Sequence, residues 1–163
     1  MTFDRAEVLE RIGSVCGTIE QYAGWAEQHC RLHDAAFQAL IDAQVPRLFL
    51  PRSLGGLEVD PVTCALACEK LAVADTAAAW HVMVFNAARL MAAQWPQALV
   101  ERLWADDPDT LVAASGHTPL QAVPCDGGYV INGRQRFVSG CDHATWLLSP
   151  VLIDNTPGMA VMP

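Results

Sequence analysis

Charge is scarce in this 163-residue chain. Lys, Arg, Asp and Glu make up 17% of it, and acids outnumber bases 18 to 10, leaving a net charge of −8. So acidic a chain has no basic face for phosphates, which argues against nucleic acid or an anionic membrane as partner. Long apolar runs are missing too. No stretch of 18 apolar residues occurs, and the opening "FDRAEVLERIGSV" is charged and helix-patterned, so neither a membrane span nor a signal peptide is expected. Without an export signal, the six cysteines read as reduced thiols of a cytoplasmic protein rather than as a disulfide framework. Internal repeats and low-complexity segments are absent. What is abundant is apolar side chain, 52% of residues, enough for a real core in one large or two small domains.

Helical periodicity fills the first two-thirds. Val8, Ile12, Val15, Ile19 and Tyr22 recur at three or four residues, one stripe of an amphipathic helix. "HDAAFQALIDAQ" predicts a second helix ending before Pro46. After the loop "FLPRSLGGLEVD", Asp60 caps a third helix with Pro61 at its first position, and Asp75 caps a fourth. Along that fourth helix Trp80, Met83, Val84, Ala87 and Met91 form an apolar face. Pro96 opens a short helix ending around Ala105.

The period changes at Leu111. "LVAAS", "LQAVP", "GYVI", "RQRFVS" and "TWLLS" read as short strands, with Asp126-Gly127 and Asn132-Gly133 as tight-hairpin signals. The fold class is α+β: an all-α domain over 1–109, then a partial antiparallel β-domain over 110–163. Helices should occupy most of 4–105 and strands should dominate from 111 onward.

No metal site emerges. His29 and His33 share a helix face but lack a third ligand at a characteristic spacing, and Cys64 and Cys68 read as core packing. Cys141, Asp142 and His143 are adjacent and cannot all turn to one ion. Ser139 lacks the GxSxG setting of a nucleophile. Cys141 and His143, at i and i+2, would share a strand face, so a thiolate–imidazole pair stays open as an alternative.

Several segments, in order, resemble one family. "FLPRSLGGLEVD" is similar to the proline, paired-glycine and aspartate loop of the acyl-CoA dehydrogenase superfamily, and "GGYVINGRQRFVSG" to its middle-domain hairpin, with Asn132-Gly133 as the turn. Within it, "GRQRFVSGCDHATWLL", "DTAAAW" and "WADDPDTLVAAS" resemble the reduced-flavin-dependent monooxygenases that hydroxylate aromatic rings or amine nitrogens. The resemblance implies a β-domain of acyl-CoA dehydrogenase type. It implies a flavin wall made of Ser115, Thr118, Phe137, Ser139 and Gly140, with Phe137 and Ser139 at a strand end. Trp80, Phe85 and Asn86 would face a small-molecule substrate. The cofactor would be reduced FMN or FAD, supplied by a flavin reductase.

The chain also departs from that pattern. Leu120 stands where a glycine is expected, His117 is unusual, and Ala87-Ala88 replace the expected polar residue of the fourth helix, leaving Asn86 or Arg89 as substitutes. No catalytic residue can be assigned, and the "TEP" and "GSD" stretches of an acyl-CoA binder are missing. Because family members continue into a C-terminal helical bundle, completion in cis, by another chain or by a homo-oligomer is expected, and flavin binding by this stretch alone should be weak or absent. An acyl-CoA or acyl-carrier dehydrogenase, or a non-catalytic assembly subunit of this fold, is the alternative.

Overall fold

The computed structural model describes residues 4–163; Phe3, within the helix-patterned opening, lies outside them. The chain divides into two compact units, Met1–Thr110 and Leu111–Pro163. Among the described residues no helix is long and apolar enough to cross a membrane.

The first unit is helical. Helix α1 (Arg5–His29) starts at Asp4, whose carboxylate accepts the Ala6 amide at 3.0 Å, and it buries Val8, Ile12 and Ile19 as the stripe predicts. Val15 and Tyr22 lie at the edge of the same core. Helix α2 (Asp34–Asp42) ends before Pro46 and adds Ala36 and Leu40. Helix α3 (Pro61–Ala74) is capped by Asp60, which accepts from the Val62 and Thr63 amides, and α4 (Thr76–Met91) by Asp75. Helix α5 (Gln97–Trp104) buries Leu103 and Trp104.

The "FLPRSLGGLEVD" loop folds back on itself. Leu57, Glu58 and Val59 donate their amides to the carbonyls of Arg47, Leu50 and Leu48 at 2.9 to 3.1 Å. Gly55 takes a φ of +79°, which costs glycine little. Gly56 passes so close to Leu50 that an added Cβ would lie 1.8 Å from its carbonyl oxygen. Arg47 grips Asp109 through both nitrogens of one guanidinium edge, the Nε–Oδ1 contact being 2.6 Å, and this bidentate pair is mostly screened from water.

The second unit is a five-stranded sheet of β1 (Val112–Ala114), β2 (Leu120–Cys125), β3 (Gly128–Asn132), β4 (Trp146–Ile153) and β5 (Thr156–Met162). The expected antiparallel pairing holds for β2 with β3 and for β4 with β5, but β1 and β2 both run parallel to β4. The sheet is therefore mixed. Asp126-Gly127 makes a tight turn, as predicted, with Gly127 at φ +81°. Asn132-Gly133 does not. Residues 133–139 leave the sheet, so "RQRFVS" is no strand and Phe137 does not end one. A further hairpin, without an expected turn signal, turns at Asp154-Asn155, both at positive φ (48° and 65°), the backbone of a two-residue primed turn.

Candidate functional site

β4 is the spine of the sheet, and its partners on one edge are discontinuous. β1 pairs with Trp146 to Leu148 and β2 with Val151 to Ile153. Between them the Ser115 amide still donates to Leu148 O at 3.0 Å, and then residues 116–119 bulge out before Leu120 re-enters opposite Val151. Pro150 stands at this gap. Alternate residues of a strand turn their amides to the same edge, so Pro150, two on from Leu148, brings no N–H where no acceptor waits.

Gln135 plugs the gap. Its amide nitrogen donates to Thr118 O at 2.8 Å and to Ser149 Oγ at 2.6 Å, while its oxygen accepts from Ser115 Oγ at 3.0 Å. Ser115 also bonds Arg136 O at 2.9 Å. One side chain thus ties the 133–139 segment to the bulge and to buried Ser149. Nothing in the spelling of "RQRF" marks this glutamine, because its role depends on a hole in a sheet that pairs residues far apart in sequence.

That brace sets the predicted flavin-wall residues in place. Ser115 is buried, its hydroxyl used within the brace, whereas Thr118 is exposed, its Oγ1 2.9 Å from His117 Nδ1. Phe137 is 81% exposed at a φ of +58°, a left-handed backbone that costs a bulky residue about 1–2 kcal/mol. Its ring leans on that of His117, centroids 5.7 Å apart at 51°. Ser139 is half-buried and Gly140 is buried at φ +82°. Gly140 then opens a helical turn, its carbonyl accepting from the His143 and Ala144 amides at 3.0 and 3.1 Å. Cys141 and His143 are therefore not on a strand, and the shared-face argument for pairing them falls. Beside this turn Val138, Cys141, Ala144, Trp146 and Leu147 line an apolar groove of about 270 Å3.

In the helical unit, α4 is apolar on two faces. Trp80, Met83, Leu90 and Met91 line the outer one, with Trp80 54% exposed. The other two predicted substrate residues point inward. Phe85 is 2% exposed, and Asn86 is fully buried, accepting from the Phe49 amide (3.0 Å) and donating to Val45 O (3.0 Å) and Val82 O (2.9 Å). Both are core in this unit, and Asn86 joins α4 to the turn before the signature loop. Arg89 is equally internal. It donates to Pro108 O and Thr110 O at 3.1 Å and lies over Trp104, and burial pushes its guanidinium down to about 10. Among the described residues, no three His, Cys, Asp or Glu side chains gather as a metal-holding group.

No family model matches the chain. Over 157 residues, 94% of its length, it is 33% identical to the oxygenase subunit HsaA of a flavin-dependent monooxygenase from Mycobacterium tuberculosis. The oxygenase component of p-hydroxyphenylacetate 3-hydroxylase from Acinetobacter baumannii is 31% identical over 142 residues, 86% of this chain and 33% of that one. The structure of XiaF from Streptomyces sp., in complex with FADH2 and glycerol, superimposes with a TM-score of 0.92 at 26% identity, covering 98% of this chain and 42% of that one. The chain spans about 40% of the length of HsaA. By sequence over nearly its whole length and by its acyl-CoA dehydrogenase-like fold, this chain is a homologue of the oxygenase subunits of flavin-dependent monooxygenases.

Proposed function

We propose that the chain forms part of the oxygenase component of a two-component monooxygenase that hydroxylates an aromatic or amine small molecule, with reduced FMN or FAD delivered by a flavin reductase. The Phe137 platform carries the reading. An aromatic ring left in water on a strained backbone, held by a dedicated brace, is a feature that a ligand explains and folding does not.

The residues present fit a planar ring with a polar edge. Phe137 and His117 offer aromatic surface, Thr118 and Ser139 offer hydroxyls, and Gly140 allows close backbone approach. A reduced flavin bound there supplies the oxygen activation. The chain's own part is to bind, orient and exclude water: Gln135 and Ser115 fix the loop, and the Phe137 ring stacks. In the helical unit we assign Trp80 and Met83 to the substrate, with Phe85 and Asn86 as supports behind them. The remaining walls belong to the portion of such proteins that this chain does not span, a C-terminal helical bundle in cis or from another chain.

The test is Phe137→Ala in the complete oxygenase. The exposed ring adds little to folding, so thermal unfolding should be unchanged while reduced-flavin affinity falls about tenfold, the worth of one stacked aromatic contact with its buried area. With a flavin reductase and a phenolic substrate, the product should carry one oxygen from labelled O2. Unchanged flavin affinity would remove Phe137 from the site; absence of labelled product across phenols and amines would remove the monooxygenase reading.

A further inference from the structure

Arg89, in the last turn of α4, is a cation inside the helical unit. The residue is only 3% exposed, and arginine is almost never buried so deeply without a partner of opposite charge. Nη2 is accounted for by the Pro108 and Thr110 carbonyls, at 3.1 Å each. Nε is buried and has no acceptor among the described residues, and no carboxylate among them lies within ion-pair distance of this guanidinium. Asp109, whose field reaches Arg89, is already held by both nitrogens of an Arg47 edge. Carbonyl dipoles and the negative end of α4 offset part of the charge, but an uncharged donor would make the same two bonds. Desolvation pushes the guanidinium down to about 10, so it stays charged at pH 7.

Beside this charge lies a cavity of about 140 Å3, whose walls include Leu50, Pro51, Ala93, Val100 and Trp104. The guanidinium is the only charged group among its lining side chains. The one other polar group, the Trp104 indole N–H, is given to Thr110 O at 2.9 Å. Pro51 and Ala93 are exposed, so the cavity opens to solvent. It exceeds the roughly 10–15 Å3 that one water needs and falls short of the roughly 300 Å3 at which pockets for larger ligands begin. A molecule of a few heavy atoms fits it.

We propose that this cavity binds a small aliphatic monocarboxylate of acetate to propionate size, its carboxylate pairing with the Arg89 guanidinium and its alkyl tail against Leu50, Val100 and Trp104. The carboxylate supplies the missing counter-charge and accepts an N–H where little water competes, which strengthens such a bond. Apolar walls select the tail. The chain's net charge of −8 repels anions in general, so a saturable site for one has to be local.

The site does not depend on the oxygenase reading and is tested without flavin. Isothermal titration calorimetry in a carboxylate-free, low-salt buffer measures formate, acetate and propionate against the chain. Saturable binding should tighten about fourfold with each added carbon, the worth of one buried methylene. Propylammonium, with a similar tail and the opposite charge, should not bind. Arg89→Met keeps much of the bulk and removes the charge, and it should weaken propionate binding about tenfold or more. Val100→Phe, which fills the cavity from α5 and leaves Arg89 in place, should do the same. Should Arg89→Met not fold, Val100→Phe and the acid series decide. No saturable propionate binding, equal affinities for formate and propionate, binding of propylammonium as tight as that of propionate, or undiminished binding in either variant would each overturn the proposal.

Discussion

Asn86 shows how little a residue type says about its use. Polar and set on an apolar helix, it reads as a group aimed at a guest, yet its oxygen and amide all serve Val45, Phe49 and Val82. Asn86→Ala leaves the part-buried Phe49 amide without its acceptor and opens a small void in the core. We expect a loss of about 3 kcal/mol, read from urea unfolding. A loss below about 1 kcal/mol would mean that water takes the amide's place. Phe137 is the opposite case. Apolar though it is, the fold holds it in solvent, as a flavin-wall reading requires.

At the scale of elements, the start of α3 gathers several residues on one carboxylate. Asp60 accepts from the Thr63 hydroxyl and from the Val62 and Thr63 amides, and Arg5 of α1 reaches it at 3.2 Å. The hydroxyl of Thr63 first, then its amide and Arg5, hold the carboxyl down at about 2. A carboxyl so depressed stabilises the fold at pH values above its ordinary 3.8, and that contribution is lost as pH falls through about 2. Asp60→Asn keeps a capping oxygen but no charge. In thermal melts at pH 5, 4, 3 and 2 the wild type should exceed Asp60→Asn at the upper end, and the gap should close towards pH 2. A gap independent of pH would show that the charge of Asp60 does nothing for the fold. The sheet has its own version of such dependence, where Ser149 and Thr118 keep their places through Gln135.

For the whole molecule, the proposed flavin surface is a platform rather than a pocket. The apolar groove beside it measures about 270 Å3, at the bottom of the range for sites that enclose a ligand, which bury about 70–90% of its surface. Each tenfold of affinity needs only about 1.4 kcal/mol, so losing one stacked face and the phosphate contacts should weaken binding by several orders of magnitude. Residues 1–163 alone should therefore bind FMN and FAD too weakly to copurify with either. Fluorescence titration measures this directly, and micromolar or tighter binding would mean that the stretch builds a closed pocket by another route, such as self-association.

Periodicity made the helical unit legible from the sequence, because amphipathic spacing, Asp60, Asp75 and Pro61 act within a turn or two of the backbone. The same locality made Asp126-Gly127 readable as a turn. The ordered motifs also carried the likeness to flavin-dependent oxygenases that the relatives bear out. Asn132-Gly133 has the same local signal as a turn, but distant partners claim the chain beyond it, which crosses to the bulge after β1 and fills the gap beside β4. Parallel pairing of β1 and β2 with β4, the brace at Gln135, the inward turn of Asn86 and the exposure of Phe137 were decided only in the tertiary structure. Each depends on residues distant in sequence meeting in space, and short-range spacing carries no record of such meetings.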